Sequence, residues 1–208
     1  MGSFVALDFE TADQVRDSAC AIGLVRVDGA RITARKHRLI RPPRRTFEFT
    51  YIHGIAWQNV RGEPPFPEVW RQLLPLLDGA DFIAAHNASF DRGVLHACCE
   101  KSRLAPPPLP FECTVRLARD RWGIRPTTLP DVCRHLRLPL KHHDALSDAE
   151  ACARIVLAAR RRASQAPGMP ALAKHLVASA SDLAGDPAAE RQARGSKRRS
   201  SSMRPRRP

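Results

Sequence analysis

Residues 4–11 read FVALDFET: four apolar residues run straight into two carboxylates, Asp8 and Glu10, separated by one phenylalanine. A short apolar run bounded by polar residues predicts a buried strand, although length alone does not exclude a helix. On a strand the side chains alternate, so Asp8 and Glu10 share one face while Phe9 points to the other. Two like charges side by side repel, and a divalent cation between them removes the conflict. An isolated Asp-x-Glu is ordinarily no more than a polar strand end leading into a turn. The decision rests on partners elsewhere in the chain.

Working outward, ACAIGLVRV (19–27) and ARITARKHRLIRP (30–42) read as two further strands joined at Asp28-Gly29, a dipeptide that favours hairpins. PEVWRQLLPLLDG (67–79) has helical periodicity interrupted by Pro75. DFIAAH (81–86) is a short buried strand, leading through Asn87 and Ser89, an expected N-cap, into a helix over 89–103. Beyond the proline cluster APPPLP (105–110) follow a short FEC strand, a helix over 114–122, a short helix near 128–137 and a strong helix over 145–162. Three antiparallel strands and then strand–helix alternation predict a mixed α/β sheet with helices packed on it.

Two more acids stand where solvent-facing residues are not expected. Asp91 stands in the first turn of the 89–103 helix and has Val94, Leu95 and Cys98 at i+3, i+4 and i+7, which places it on the apolar stripe. Helix-dipole stabilisation is the plain alternative for an acid in a first turn. Asp148 repeats the pattern with Cys152 and Ile155, while Glu150 points elsewhere. A core-facing carboxylate is costly unless it is paired, hydrogen-bonded or on a metal. Either acid alone fits a satisfied polar network. Together with Asp8 and Glu10 they form four acids converging at one end of a sheet, a hard-oxygen site suited to Mg²⁺ or Mn²⁺. His143, five residues before Asp148, reads either as a surface histidine or as a general base suited to near-neutral pH, and His142 beside it as a surface histidine.

Composition narrows the partners. The chain has 208 residues, 43% of them hydrophobic, and a net charge of +13, which points to a polyanionic partner. Gly195–Pro208 carries six Lys or Arg and no acid, leaving +7 for the rest. No apolar run reaches the roughly 20 residues that span a bilayer, and MGSFVALDFE has neither a basic n-region nor a small-residue cleavage site. The expectation is a cytoplasmic protein that does not enter membranes. The six cysteines form no C-x-x-C pair and read as small core residues. Residues 1–162 are expected to form one domain, and 163–208 an Ala- and Pro-containing extension ending in a basic, disordered tail.

The set FVALDFET, HNASFD and HHDALSDAEA resembles the three exonuclease motifs of the DEDDh family of 3′→5′ exonucleases, whose members include the proofreading epsilon subunits of bacterial DNA polymerase III and stand-alone enzymes. The likeness spans about residues 3–160, with the motifs in the right order. It implies an RNase H-like fold, a mixed five-stranded sheet flanked by helices. It makes Asp8 the carboxylate bridging two metal ions, with Glu10 and Asp148 completing the first site and Asp91 holding the second. His143 matches the histidine that deprotonates the attacking water. YIHGI (51–55) resembles the family's HGI segment, so Thr11, His53, His86, Asn87 and Phe90 are expected to line the terminal-nucleotide pocket. One departure is plain: Thr-Ala-Asp stands where the family often has Thr-Thr-Gly. The resemblance implies a Mg²⁺-dependent exonuclease acting on single-stranded or frayed DNA ends, with DNA polymerase III components as candidate partners. The motifs do not separate DNA from RNA or short oligonucleotides. A catalytically silent nucleic-acid-binding module is the reading from another class, and the presence of all four acids and the histidine argues against it.

Overall fold

The computed structural model describes residues 2–165; the basic tail and all but the start of the extension expected over 163–208 lie outside them. Strands β1 (Phe4–Thr11), β2 (Ala19–Asp28), β3 (Arg31–Leu39), β4 (Ile83–Ala85) and β5 (Phe111–Cys113) form one sheet in the order β3-β2-β1-β4-β5. β1, β2 and β3 are antiparallel, and β4 and β5 continue the sheet parallel to β1. The mixed five-stranded sheet and the Asp28-Gly29 turn are both as the sequence predicts.

Alternation along β1 sorts its side chains between two cores. Phe4 and Ala6 pack with the helices α5 (Thr114–Trp122), α6 (Leu129–Leu136) and α7 (Ala145–Gln165). Val5, Leu7 and Phe9 pack with α3 (Phe66–Leu73) and α4 (Ala88–Lys101). Asp8 and Glu10 therefore continue the α7 face, where the apolar row gives way to acids. Two short helices, α1 (Thr50–His53) and α2 (Trp57–Val60), precede α3. The 67–79 helix of the sequence reading divides at its proline: α3 stops at Leu73, and Leu74–Leu77 winds as a tighter 3₁₀ turn. Asn87 is the N-cap residue of α4 in left-handed backbone (φ 60°), but its side chain caps nothing; Ser89 Oγ donates to its Oδ1 at 3.2 Å.

Helix α7 is fixed to the sheet at two places. Arg160 lays its guanidinium over the rings of Phe4 (4.7 Å) and Phe82 (5.6 Å) and donates to the carbonyl of Gly2 at 3.0 Å. At the other end the α7 backbone descends onto Gly23, which pairs with Asp8 across β1 and β2. A Cβ built on Gly23 would stand 2.0 Å from the carbonyl oxygen of Ala145 and 2.5 Å from the nitrogen of Leu146. Asp144 caps this end of the helix, accepting the Ser147 N–H at 3.1 Å. The helix that carries Asp148 thus rests beside the strand that carries Asp8.

Because the obstacle to a side chain at residue 23 is backbone, the helix itself must move to admit one. Gly23→Ala is expected to cost roughly 1–3 kcal/mol, as overpacking does, or about 2–4 °C of Tm per kcal/mol for a domain of this size. Gly62→Ala, at a position with nothing within 4 Å, should stay within about 0.5 kcal/mol. Thermal unfolding of both variants checks the pair.

Candidate active site

A cleft of about 270 Å³ opens at the end of β1, lined by Asp8, Glu10, Thr11, His53, Phe90 and His143, together with Phe9, Phe49, Ile52, His142 and Asp148. Three elements meet here. β1 supplies Asp8 and Glu10, α7 supplies Asp148 in its first turn, and the segment around α1 supplies the apolar wall. Carboxylate oxygens of Asp8, Glu10 and Asp148 lie within 4.8 Å of one another. Asp91, 1% exposed on the first turn of α4, reaches β1 from the opposite side and accepts the Phe9 N–H through Oδ1 at 3.1 Å.

The electrostatics of this arrangement are unfavourable as they stand. Burial first, and then the charges of Asp91, Asp148 and Glu10, push Asp8 well above the usual carboxylate range. Asp8 keeps a partial opening to the cleft, but protein encloses it on its other sides. Burial, with Asp148 and Asp144 adding, raises Glu10 to about 7. Burial raises Asp91 to about 8 against the pull of the Phe9 N–H. Asp148 is raised by burial and drawn back by His142 and His143. Its Oδ2 accepts the His143 backbone N–H at 3.1 Å and faces His142 Nδ1 at 2.9 Å, while its Oδ1 is buried without a hydrogen-bond partner. An orphaned buried carboxylate oxygen among three more acids fits a divalent cation. The donor set is all oxygen, as hard cations require.

The histidines play four different parts. His143 lines the cleft in left-handed backbone (φ 65°), and burial, followed by the charge of His142, lowers its pKa. His142 is no bland surface histidine: it contacts Asp148 and stacks on the His143 ring, centroids 3.8 Å apart. His53 is tied at both ring nitrogens. Nδ1 accepts the Ile55 N–H at 3.0 Å, so Nε2 carries the proton and donates to the Thr11 carbonyl at 3.1 Å. That arrangement holds His53 neutral, in a wall position rather than as a base. Gly54 makes the turn behind it, in left-handed backbone (φ 75°) that closes α1.

His86 departs from expectation. It stands apart from the cleft lining, with Nε2 donating to the Thr127 carbonyl at 3.0 Å and Nδ1 facing Thr114 Oγ1 at 2.9 Å. Burial lowers it to about 4, so it stays neutral and ties the end of β4 to α5. Asn87 is exposed and likewise outside the cleft lining, whereas Thr11, His53 and Phe90 line it. Phe49 and Ile52 complete the wall without having been anticipated; their place directly around the HGI-like segment was the available signal. Of the tryptophans, Trp70 is buried against Phe66, Trp122 packs on the core, and Trp57 lies under Arg45 at 5.5 Å.

The exonuclease family model matches residues 5–156. The 3′-5′ exonuclease DinG of Bacillus subtilis is 32% identical over 172 residues, covering 79% of this chain and 18% of that protein. DNA polymerase III PolC-type of Oceanobacillus iheyensis is 30% identical over 154 residues, covering 72% of this chain and 11% of that protein. The chain thus spans less than a fifth of the length of these curated relatives. Among solved structures, exonuclease X in complex with 5′ overhanging duplex DNA superposes with TM-score 0.63 at 25% identity, covering 78% of this chain and 94% of that one. The nuclease domain of 3′hExo, a DEDDh family member bound to rAMP, gives TM-score 0.67 at 17% identity over 77% and 92% of the two chains. The chain belongs to the exonuclease family, and its mixed sheet is RNase H-like. That family generally works with divalent metal ions.

The raised carboxylate pKa values carry a sign. Acids that hold protons more tightly in the metal-free fold than in the unfolded chain stabilise that fold fully below about pH 4, near their unfolded values. The contribution is lost as pH rises through about 7 for Glu10 and about 8 for Asp91. In EDTA, Tm should therefore fall between about pH 4 and 8, and Asp91→Asn should melt above wild type at the upper end. Mn²⁺ should raise the wild-type Tm more at the alkaline end than at the acidic end. Scanning calorimetry across that range checks both; a flat profile with equal Mn²⁺ shifts would contradict the assignment.

Proposed function

We propose that the protein is a metal-dependent 3′→5′ exonuclease that hydrolyses the terminal phosphodiester of single-stranded or frayed DNA and releases nucleoside 5′-monophosphates. The observation that carries this reading is the buried, unpartnered Oδ1 of Asp148 within a cluster of raised carboxylates, beside a histidine on the same cleft. Asp8, Glu10 and Asp148 would hold one Mg²⁺ or Mn²⁺, and Asp8 with Asp91 a second. Bound cations would supply Lewis-acid stabilisation of the charge developing at phosphorus and make water acidic enough to attack near neutral pH.

The chain's own residues do the rest. His143, its pKa lowered by burial and by His142, is neutral at working pH and takes the proton of the attacking water on an imidazole nitrogen. Phe49, Ile52 and Phe90 offer apolar surface on which a terminal base can stack, a sequence-tolerant interaction. Thr11 and His53 form the side of the cleft between that wall and the acids. The net charge of +13 supports binding to a polyanion. No helix among the described residues is long and apolar enough to cross a membrane, and a cytoplasmic enzyme fits. The PolC-type relatives support a replicase context, with DNA polymerase III components as candidate partners.

Matched labelled DNA and RNA, single- and double-stranded, incubated with Mg²⁺ or EDTA, test the reading. Shortening from a free 3′-hydroxyl in Mg²⁺ alone is expected, with single-stranded DNA cut faster than RNA. Efficient cutting of circular single-stranded DNA would overturn the exonuclease polarity, and faster RNA decay would reassign the substrate.

Two variants divide the roles. His143→Ala should lower kcat by roughly 10²–10⁴-fold, the range for losing a positioned base, with little change in Mn²⁺ affinity. Asp8→Ala should lose Mn²⁺ binding and activity together. Calorimetric Mn²⁺ titration with single-turnover rates decides between them; near-normal rates in His143→Ala would remove that residue from the base's role.

A further inference from the structure

We propose that His142 is a positioning residue of the acid site: it turns Asp148 so that one chosen oxygen faces the cation, and it holds the His143 ring in place. The proposal rests on the cation-site reading of the four acids. An ionised carboxylate only accepts hydrogen bonds, so the 2.9 Å contact between His142 Nδ1 and Asp148 Oδ2 fixes the proton on Nδ1. The His143 backbone N–H, at 3.1 Å, occupies the same oxygen. Oδ2 is thereby engaged by two donors, and Oδ1 remains as the buried oxygen with no partner. The carboxylate has one oxygen for the protein and one for a ligand.

The exposure of the pair argues against a chance surface contact. The His142 side chain is 39% exposed, whereas that of Asp148 is 5% exposed. An exposed histidine reaching a buried acid at the floor of a cleft leaves a directed contact, unlike the ordinary surface ion pairs of this chain such as Lys141–Asp144. The second face of the same ring is used as well. His142 stacks on His143 with centroids 3.8 Å apart and planes 23° from parallel. His143 itself stands in left-handed backbone at φ 65°, which a histidine adopts uncommonly. That turn points its N–H back at Asp148 and leaves its ring resting on His142. One side chain therefore sets both the ligand oxygen and the ring of the base. Hydrogen-bonding partners behind a metal ligand commonly change metal affinity or activity by about 10–100-fold when removed.

The two contacts can be cut separately. His142→Phe keeps a ring to stack on His143 and removes the donor to Asp148; His142→Asn keeps an N–H donor near the Nδ1 position and removes the ring. With the full chain, Mn²⁺ alone is titrated calorimetrically, and single-turnover rates are then measured at saturating Mn²⁺. Metal-free melting curves verify that each variant is folded. His142→Phe is expected to weaken Mn²⁺ binding about 10–100-fold and to lower the rate by less than that. His142→Asn is expected to do the reverse, losing rate more than Mn²⁺ affinity. Wild-type Mn²⁺ affinity and rate in both variants would overturn the proposal, and so would equal losses in both. Asp148→Asn is measured alongside: if it keeps wild-type Mn²⁺ affinity, the cation-site reading itself fails, whatever His142 does.

Discussion

The backbone of α7 rests on β2 at Gly23, where the strand has no side chain to hold it away. Gly23 is directly opposite Asp8 in the register, and the carbonyl of Ala145 occupies the space a Cβ would need. From Ala145 the first turn of α7 leads at once to Asp148. The distance between the two acids is thus set by backbone contact between a helix and a strand, which compresses far less readily than contact between side chains. Arg160 secures the same helix against Phe4 and Phe82 near the start of β1, so its axis is fixed at both ends. The acid cluster is a consequence of how this helix docks.

That docking imposes an electrostatic burden that the fold does not relieve by itself. Elsewhere among the described residues several acids are paired: Glu150 meets Arg35 and Arg154, and Asp13 and Asp17 share Arg44. At the cleft, Asp8, Glu10 and Asp148 have one another instead, and each is pushed toward protonation. His142 and the His143 backbone N–H both direct their hydrogen bonds at one oxygen of Asp148. Strongly shifted groups concentrated in a cleft, on a chain that pairs Glu150, Asp13 and Asp17 elsewhere, point to function rather than packing. In the proposed reading, this crowding of acids is what favours a cation in the cleft.

Much of this was legible in the sequence, for a reason that also marks its limit. Asp8, Glu10, Asp91 and Asp148 each broke an apolar pattern, and a broken pattern is visible in one dimension. The hairpin at Asp28-Gly29 and the strand–helix alternation obeyed local rules and were equally readable. What escaped depends on contacts between distant segments. Nothing around residue 23 announces that a helix more than 120 residues later lands on it. His142 and His143 are adjacent and alike in sequence, and only the left-handed turn at His143 separates their tasks. His86 sits inside a motif, yet its partners Thr114 and Thr127 lie 28 and 41 residues away and turn it out of the cleft lining.

The departure from Thr-Thr-Gly at residues 11–13 is accounted for in the same way. Asp13 is 5% exposed, and its carboxylate takes a two-pronged contact from Arg44 at 3.0 and 3.1 Å and the Val15 N–H at 2.8 Å. Burial alone would raise its pKa, but the bonds from Arg44 and Val15 win and lower it. Arg44 begins the segment that supplies the cleft wall, and that segment is tied to the same end of β1 by backbone groups. Ala12 accepts from the N–H groups of Glu48 (2.7 Å) and Phe49 (3.3 Å), and Thr11 accepts from His53. The pairing of β1 with β2 shifts register between Glu10 and Thr11, which ends the regular ladder where these contacts begin. A glycine at residue 13 would offer freedom to this turn; an aspartate offers a charge that fastens it. The same few residues therefore deliver the acids to the cleft floor and hold the apolar wall above them. In the proposed reading, the strand end that carries the metal-binding acids also fastens the wall that grips substrate, through the backbone contacts of Thr11 and Ala12.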